Sequence, residues 1–282
     1  MNILHSIGKI YAHFLKSKND ENYQKRYVGR EHFYHASGAG MCSRKLYFQS
    51  VEKVEPTNLP NTASVRRMRL GTLVHEDIQK SLLSYNSIYN NITNNTNDIN
   101  ITENIGTSLQ AVHNPSSVYD IEGEIIIEEL TVRGFYDFVQ DDGDGVVLYD
   151  IKTAADYPFK KTFNTKEPYT MKHHELQLST YGYGVKEKYG RLVGMYLLYY
   201  NKNTSVLKYK QVPLSMVGTA YMFWANIKKQ HSTGLPNFED GISPVMKWEC
   251  DYCGYFEHCN PPAPYGRYSH KNTLKKGDII NE

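Results

Sequence analysis

The sequence predicts an α/β fold: a mixed central sheet flanked by helices. Three observations predict it. Stretches with apolar residues at three- and four-residue steps alternate with short runs rich in β-branched and aromatic residues. Asp141-Asp142-Gly143-Asp144-Gly145 is a strong turn signal between two such runs. The order along the chain is helix, three strands, helix, strand, which requires layers of both kinds.

The elements follow in chain order. In residues 1–16 Ile3, Leu4, Ile7, Ile10, Tyr11, Phe14 and Leu15 recur at helical spacing, which predicts an amphipathic opening helix and not a signal peptide. A polar, charged stretch follows at 17–31. Residues 35–50 hold Gly38, Gly40 and the first cysteine, Cys42. A helix is predicted over 64–83 from Val65, Met68, Val74, Ile78 and Leu82. Residues 85–115 are dense in Asn, Ser and Thr, bury little, and read as an insertion. Strands are predicted at 121–129 and 131–140, paired through a tight turn, and at 146–152. A helix over 172–188, a strand over 192–200, a hairpin partner over 205–212 and a helix over 217–230 complete the core. The C-terminal region holds Cys250, Cys253 and Cys259, then a Pro-rich basic tail. The expected division is an N-terminal segment 1–63, a core 64–235 with an insertion near 85–117, and a C-terminal cysteine region 236–282.

Composition narrows the class. With 282 residues, 40 % of them hydrophobic, the chain supports one sizeable domain or a core with a subdomain. A formal net charge of +2 means that any nucleic-acid surface comes from local clustering of the 32 Lys and Arg residues. No run approaches the ~18 apolar residues of a membrane span. A cytoplasmic, reducing compartment is the expectation, and there cysteines serve as metal ligands more often than as disulfides.

The chemistry sits in Gly134-Phe135-Tyr136-Asp137 and Asp150-Ile151-Lys152, whose aspartates lie 13 positions apart. A hairpin through the Asp-Gly turn sets the two strands side by side. Asp150 and Lys152, two apart on one strand, share a face. Two carboxylates and an amine on one face suit phosphodiester hydrolysis. Carboxylates hold Mg²⁺ or Mn²⁺, and the lysine orients the attacking water or neutralises developing charge. Asp-x-Lys alone is a frequent tripeptide and reads as a surface ion pair. Two further pairs add weight. Gly71 and His75 lie four apart on the helix 64–83, where glycine permits close approach of a neighbour and an imidazole suits Mn²⁺. Gln177 and Tyr181 share a face of the helix after the Asp-x-Lys strand.

Taken in order, Gly-x-x-x-His, Gly-x-x-Asp, Asp-x-Lys and Gln-x-x-x-Tyr resemble the nuclease domains of RecB and AddB and the CRISPR-associated exonuclease Cas-four, of the PD-(D/E)XK superfamily. The motifs span residues 71–181. The resemblance implies a restriction-endonuclease-like core. It implies that His75, Asp137, Asp150 and the Ile151 carbonyl are metal ligands, that Lys152 is catalytic, and that Gln177 and Tyr181 are active-site residues. An acidic residue on the first strand is implied for some relatives. Glu124 is the candidate here, with Glu122 and Glu128 as rivals. The activity implied is hydrolysis of DNA with Mn²⁺ or Mg²⁺, exonucleolytic on single strands or free ends. DNA is then the main partner, with recombination, replication or CRISPR-adaptation proteins as further ones. A non-catalytic DNA-binding or assembly subunit is the alternative.

Cys250-x-x-Cys253-x-x-x-x-x-Cys259 places three thiols within ten residues, and Cys42 lies 208 positions before the first of them. Spacing alone fits zinc or an iron–sulfur cluster and favours zinc. One cysteine before the nuclease motifs and three after resembles the iron–sulfur clasp of Cas-four and AddB, which implies a 4Fe–4S cluster in a lobe formed by both termini. Arg44 and Lys45, beside Cys42, and Arg66, Arg67 and Arg69, before Gly71, are candidates for the DNA path or for a solvated face. His173 and His174 have no assigned role. Lys271, Lys275 and Lys276 make a basic tail.

Overall fold

The computed structural model describes residues 3–27, 33–57, 60–95, 118–164, 166, 171–238 and 249–261. Residues 96–117 of the Asn-rich stretch and the tail with Lys271, Lys275 and Lys276 lie outside the described residues. The helices are α1 Ile3–Tyr27, α2 Ser43–Tyr47, α3 Thr62–Asn95, α4 Asp156–Thr162, α5 Lys172–Tyr189, α6 Met216–His231 and α7 Phe256–Cys259. The strands are β1 Tyr34–His35, β2 Val118–Ile121, β3 Glu124–Ile127, β4 Val132–Phe135, β5 Phe138–Asp141, β6 Val146–Ala154, β7 Leu192–Asn201 and β8 Leu207–Gln211. No described helix is long and apolar enough to cross a membrane.

The strands form two sheets. A three-stranded sheet runs β1-β4-β3, and a five-stranded sheet runs β2-β5-β6-β7-β8. In the larger sheet β6 and β7 are parallel and the other neighbours antiparallel. The sheet is therefore mixed, and the parallel pair needs the long crossover that α4 and α5 supply. The β5–β6 hairpin closes where the Asp-Gly signal stands. Asp141 pairs with Val146, the Asp141 carboxylate accepts from the Gly143 N–H at 2.8 Å, and Gly143 takes φ +80°.

The chain forms two compact units. One joins residues 1–70, 127–133 and 221–282; the other joins 71–126 and 134–220. In the first, Trp224 is fully buried, with the Tyr34 ring 5.7 Å away. The Tyr34 hydroxyl lies 2.7 Å from His231 Nδ1, and Ser43 meets the other ring nitrogen. In the second, Leu148, Ile151, Leu178, Met195, Leu197 and Tyr199 form the core between α5 and the sheet. Helix α5 sits close because it offers glycines: a Cβ on Gly182 would stand 2.5 Å from the Met195 sulfur, and one on Gly184 2.7 Å from Ile125.

Four differences from the sequence reading have physical reasons. The opening helix continues through the polar stretch to Tyr27, with Lys18 and Glu21 paired at 2.8 Å. Of its apolar positions Leu15 is buried, while Ile7, Ile10, Tyr11 and Phe14 are exposed. Helix α3 runs on to Asn95, so the first part of the Asn-rich stretch is helical. And the two strands expected at 121–129 and 131–140 are each broken, at Glu122-Gly123 and at Tyr136-Asp137. The breaks lie opposite each other and are bonded together, Glu122 N–H to Asp137 O at 2.9 Å and Tyr136 N–H to Gly123 O at 3.0 Å. Glu122 there takes φ +54°. A Cβ on Gly123 would collide with the Tyr136 hydroxyl at 2.1 Å, so only glycine fits. The halves pair in different sheets as a result.

Substituting Gly184→Ala should lower stability by about 1–3 kcal/mol, the range for overpacking a filled site. The midpoint of urea unfolding reads this directly, and an unchanged midpoint would contradict the packing of α5 on Ile125.

Candidate active site and cysteine pocket

The strand break positions the first candidate carboxylate. The ladder between β5 and β6 ends at Phe138–Tyr149, and beyond it β6 has no β5 partner. Asp137 stands at that point with its side chain 7 % exposed as a residue. Its Oδ2 accepts the Ile151 N–H at 2.5 Å. Its Oδ1 lies 3.2 Å from His75 Nδ1 and 3.5 Å from Gln79 Nε2. Gly71, one turn before His75, lets α3 approach β6: a Cβ there would lie 3.1 Å from Thr153 Oγ1. The Gly-x-x-x-His spacing thus serves the purpose expected of it.

Asp150 and Lys152 leave β6 on one face, as strand alternation requires. Asp150 is 3 % exposed. Burial pushes its carboxyl up to about 6; the Asp137 carboxylate pushes the same way, while Lys152 and His75 oppose. The Lys152 ammonium lies 2.5 Å from Asp150 Oδ2, an ion pair without the alignment of a directional hydrogen bond. Lys152 also donates to Gln177 Oε1 at 3.0 Å, and Gln177 Nε2 donates to the Tyr181 hydroxyl at 2.8 Å. The sequence pair Gln177 and Tyr181 is one continuous hydrogen-bonded chain ending on the lysine.

The structure adds residues the sequence reading did not assign. Gln79 lies four positions after His75, on the same helix face, and its amide also donates to Glu122 Oε1 at 2.9 Å. The periodicity Gly71, His75, Gln79 was the available signal. Of the three acidic candidates, Glu122 is tied to Asp137 through Gln79. His173 and His174 stand near Lys152. Burial, and then the Lys152 charge, push them down to about 4 and about 2, so both stay neutral. His174 Nδ1 lies 2.9 Å from the Tyr199 hydroxyl. Of the arginines before Gly71, Arg66 and Arg67 are exposed, Arg67 bonding the Ser64 hydroxyl of its own helix, and Arg69 is half-buried.

In the first unit all four cysteines line one pocket, together with Lys45 and Glu249. None is in a disulfide. Cys42 precedes α2, and its N–H donates to both Glu249 oxygens, at 3.1 and 3.2 Å. The Tyr255 N–H points at the Cys253 sulfur, 3.4 Å away, and the Arg44 Nε at the Cys259 sulfur, 3.3 Å away. The C-terminal cysteine segment is anchored to residues 55–57 by the Thr57 N–H on Gly254 O at 2.8 Å and by His258 Nε2, 3.0 Å from Glu55 O. Burial pushes the Cys42 thiol up to about 12 and raises Cys253 as well. Arg44, expected beside the DNA path, is instead buried against Cys259. Its guanidinium bonds there to the Cys259 sulfur and carbonyl and to the Pro236 carbonyl.

Soft sulfur donors around one pocket, with N–H groups directed at the sulfurs, suit zinc or an iron–sulfur cluster. Oxygen donors with one imidazole suit Mg²⁺ or Mn²⁺. In both places the donor side chains hold organic partners. Among the described residues no three His, Cys, Asp or Glu side chains stand ready to hold an ion as they are placed.

Comparison with known proteins fixes the class. The model of the PD-(D/E)XK nuclease superfamily matches residues 99–260, more than half of the chain. The chain belongs to the PD-(D/E)XK nuclease superfamily. The matched stretch contains Asp137, Asp150, Lys152, Gln177, Tyr181 and the last three cysteines; His75 and Cys42 precede it. No curated protein matches the sequence. Similar solved structures include SSO0001, at 18 % identity and TM-score 0.47, covering 89 % of this chain and 96 % of that one. An alkaline exonuclease from Laribacter hongkongensis, LHK-Exo, is similar at 13 % identity and TM-score 0.44, with 75 % and 94 % covered. A protein assigned as an exonuclease from Eubacterium rectale follows at 14 % identity and TM-score 0.43, with 73 % and 83 % covered.

Replacing Asp137 by Ala leaves the buried Ile151 N–H without its acceptor. The variant should lose about 1–3 kcal/mol of stability even in EDTA, where no divalent ion contributes. Equal unfolding midpoints for the two metal-free proteins would show that the carboxylate has no structural part.

Proposed function

We propose that this chain is a divalent-metal-dependent deoxyribonuclease. The observation that carries the reading is the cluster of buried Asp137 and Asp150 with half-buried Lys152 and His75, Lys152 being held by Gln177. Burying two carboxylates this close is costly without cations, and one lysine offsets only part of the charge. Asp137, Asp150, His75 and the Ile151 carbonyl would hold Mn²⁺ or Mg²⁺. When bound, the ion polarises the phosphodiester and lowers the pKa of a coordinated water. Lys152 meets the charge that develops on the phosphate. Gln177 fixes the ammonium from one side, and Tyr181 fixes the amide of Gln177. His75 Nδ1 lies 3.2 Å from Asp137 Oδ1, which sets the imidazole beside the carboxylate with which it would share the ion.

The exonucleolytic mode, on single strands or free ends, rests on the resemblance of the motif set. The four cysteines are assigned to a 4Fe–4S cluster, with zinc as the lesser alternative. What supports this is their common pocket, the N–H groups directed at two of the sulfurs, and their order around the nuclease motifs. The centre's role is to join two distant stretches of chain, so that metal binding contributes to folding.

Asp150→Ala and Lys152→Ala should abolish cleavage of a labelled single-stranded DNA while leaving the circular dichroism spectrum and DNA binding in place. EDTA should stop the wild type, and Mn²⁺ should restore it at least as well as Mg²⁺. Undiminished cleavage by the Asp150→Ala protein would sink the assignment. For the cysteines, anaerobically purified protein should be brown and contain about four irons per chain. A single zinc and no iron would replace the cluster by zinc and leave the nuclease reading intact.

A further inference from the structure

Arg44 is 7 % exposed, and its guanidinium bonds to Cys259, a residue that lines the cysteine pocket. Nε donates to the Cys259 sulfur at 3.3 Å, Nη2 to the Cys259 carbonyl at 3.3 Å, and Nη1 to the Pro236 carbonyl at 2.6 Å. The Phe238 ring covers one face, its centroid 4.1 Å from the guanidinium carbon. Arginine stays protonated at any working pH. A buried cation is costly unless negative charge meets it. Among the described residues Arg44 has a sulfur, two carbonyls and aromatic faces as partners, and none of these is a carboxylate. Its neighbour Lys45 differs: that ammonium lies 3.6 Å from the Glu249 carboxylate. Carbonyl dipoles satisfy hydrogen bonds but do not cancel a unit charge. Of these partners, the Cys259 sulfur is the one that also lines the four-cysteine pocket.

We infer that Arg44 is the charge partner of the four-cysteine metal centre: its guanidinium binds the sulfur and the carbonyl of the ligand Cys259 and offsets the net negative charge of the loaded site. The inference rests on the reading that the cysteines hold a metal. A four-thiolate site is anionic with zinc and with a cubane cluster alike, so Arg44 serves either metal. It also explains the fork. Binding the Cys259 sulfur and carbonyl together fixes the orientation of that residue, and the Pro236 carbonyl fixes the guanidinium in turn. Arg44 lies two positions after Cys42, so the same clamp sets the first cysteine's helix beside the last cysteine. With iron present, a positive charge at a ligand sulfur stabilises the more negative, reduced state.

The test uses the full chain, purified anaerobically, as wild type, Arg44→Gln and Arg44→Lys. Metal content is measured by elemental analysis, and loss of metal to an added chelator is followed over time. Arg44→Gln should release metal about 10–100-fold faster, as expected when an outer partner of a metal ligand is removed. Arg44→Lys, which keeps the charge, should stay close to the wild type. If the centre is iron–sulfur, the Gln variant should also show a lower reduction potential. Release from Arg44→Gln at the wild-type rate overturns the assignment, and so does release from Arg44→Lys as fast as from Arg44→Gln, which would reduce Arg44 to packing. Should Arg44→Gln fail to fold, Arg44→Lys is set against wild type and Cys42→Ser: near-wild-type retention supports the charge role, and release as fast as from Cys42→Ser overturns it. Wild-type protein with neither iron nor zinc overturns the metal-centre reading itself, a result distinguishable from either variant's.

Discussion

One carboxylate sets the geometry of the candidate site. Asp137 gives one oxygen to the Ile151 N–H and turns the other to His75 and Gln79. Helix α3, the turn before β5 and the centre of β6 meet through this single side chain. The bond to Ile151 takes the place of a ladder partner, because β5 has left the sheet at Phe138. A strand whose neighbour stops short keeps an unpaired N–H, and burial makes that group insist on an acceptor. Asp137 is that acceptor only because the chain breaks at Tyr136. The break in turn needs Gly123, where no Cβ fits beside the Tyr136 hydroxyl. The position of a functional group thus traces back to a missing methyl group 14 residues earlier in the chain.

The electrostatics of the cluster are unbalanced by design of its surroundings. Asp150 is buried, and its carboxyl is raised by that burial first and by Asp137 second. Lys152 opposes both. His173 and His174 might have supplied further positive charge nearby, but burial and the Lys152 ammonium keep them neutral. The region therefore holds one mobile cation against two carboxylates, with Gln177 and Tyr181 fixing where that cation stands. Such an arrangement is poor for stability, since a buried ion pair repays its desolvation only with full hydrogen bonding. It is well suited to a further divalent ion. The same residues that strain the metal-free protein are those that would be relieved on loading.

Much of this was legible in the sequence because it depends on local spacing. Asp150 and Lys152 share a face through strand alternation, and Gln177 and Tyr181 through one helical turn. The turn at Asp141–Gly145 and the helix over 172–188 are equally local. The strand breaks were not legible. Residues 121–129 and 131–140 each carry enough β-branched and aromatic residues to read as one strand, and Glu122 in a left-handed conformation has no sequence marker. The role of Gln79 followed from periodicity already in view but needed Asp137 to be placed first. Arg44 reads in the sequence only as a cation beside Cys42, a candidate for the DNA path, whereas in the fold it is buried. Its acceptors, Pro236 and Cys259, lie about 200 positions away and enter only through the fold.

The two sites also separate by the softness of their donors, and by which unit supplies them. His75, Asp137 and Asp150 belong to the unit of 71–126 and 134–220; the four cysteines belong to the other. Hard Mg²⁺ or Mn²⁺ has little affinity for thiolates, while zinc or iron prefers sulfur to a carboxylate pair. The charge around each site follows the same division. The carboxylate cluster is short of positive charge and would gain it from an entering cation. The thiol pocket has Lys45 and Glu249 paired in its lining, with Arg44 bonded to Cys259 behind it. A cation would offset excess negative charge at the first cluster, whereas a four-thiolate metal centre at the second would bring negative charge toward Arg44. The two clusters thus differ in the sign of the charge they lack, and they belong to separate units.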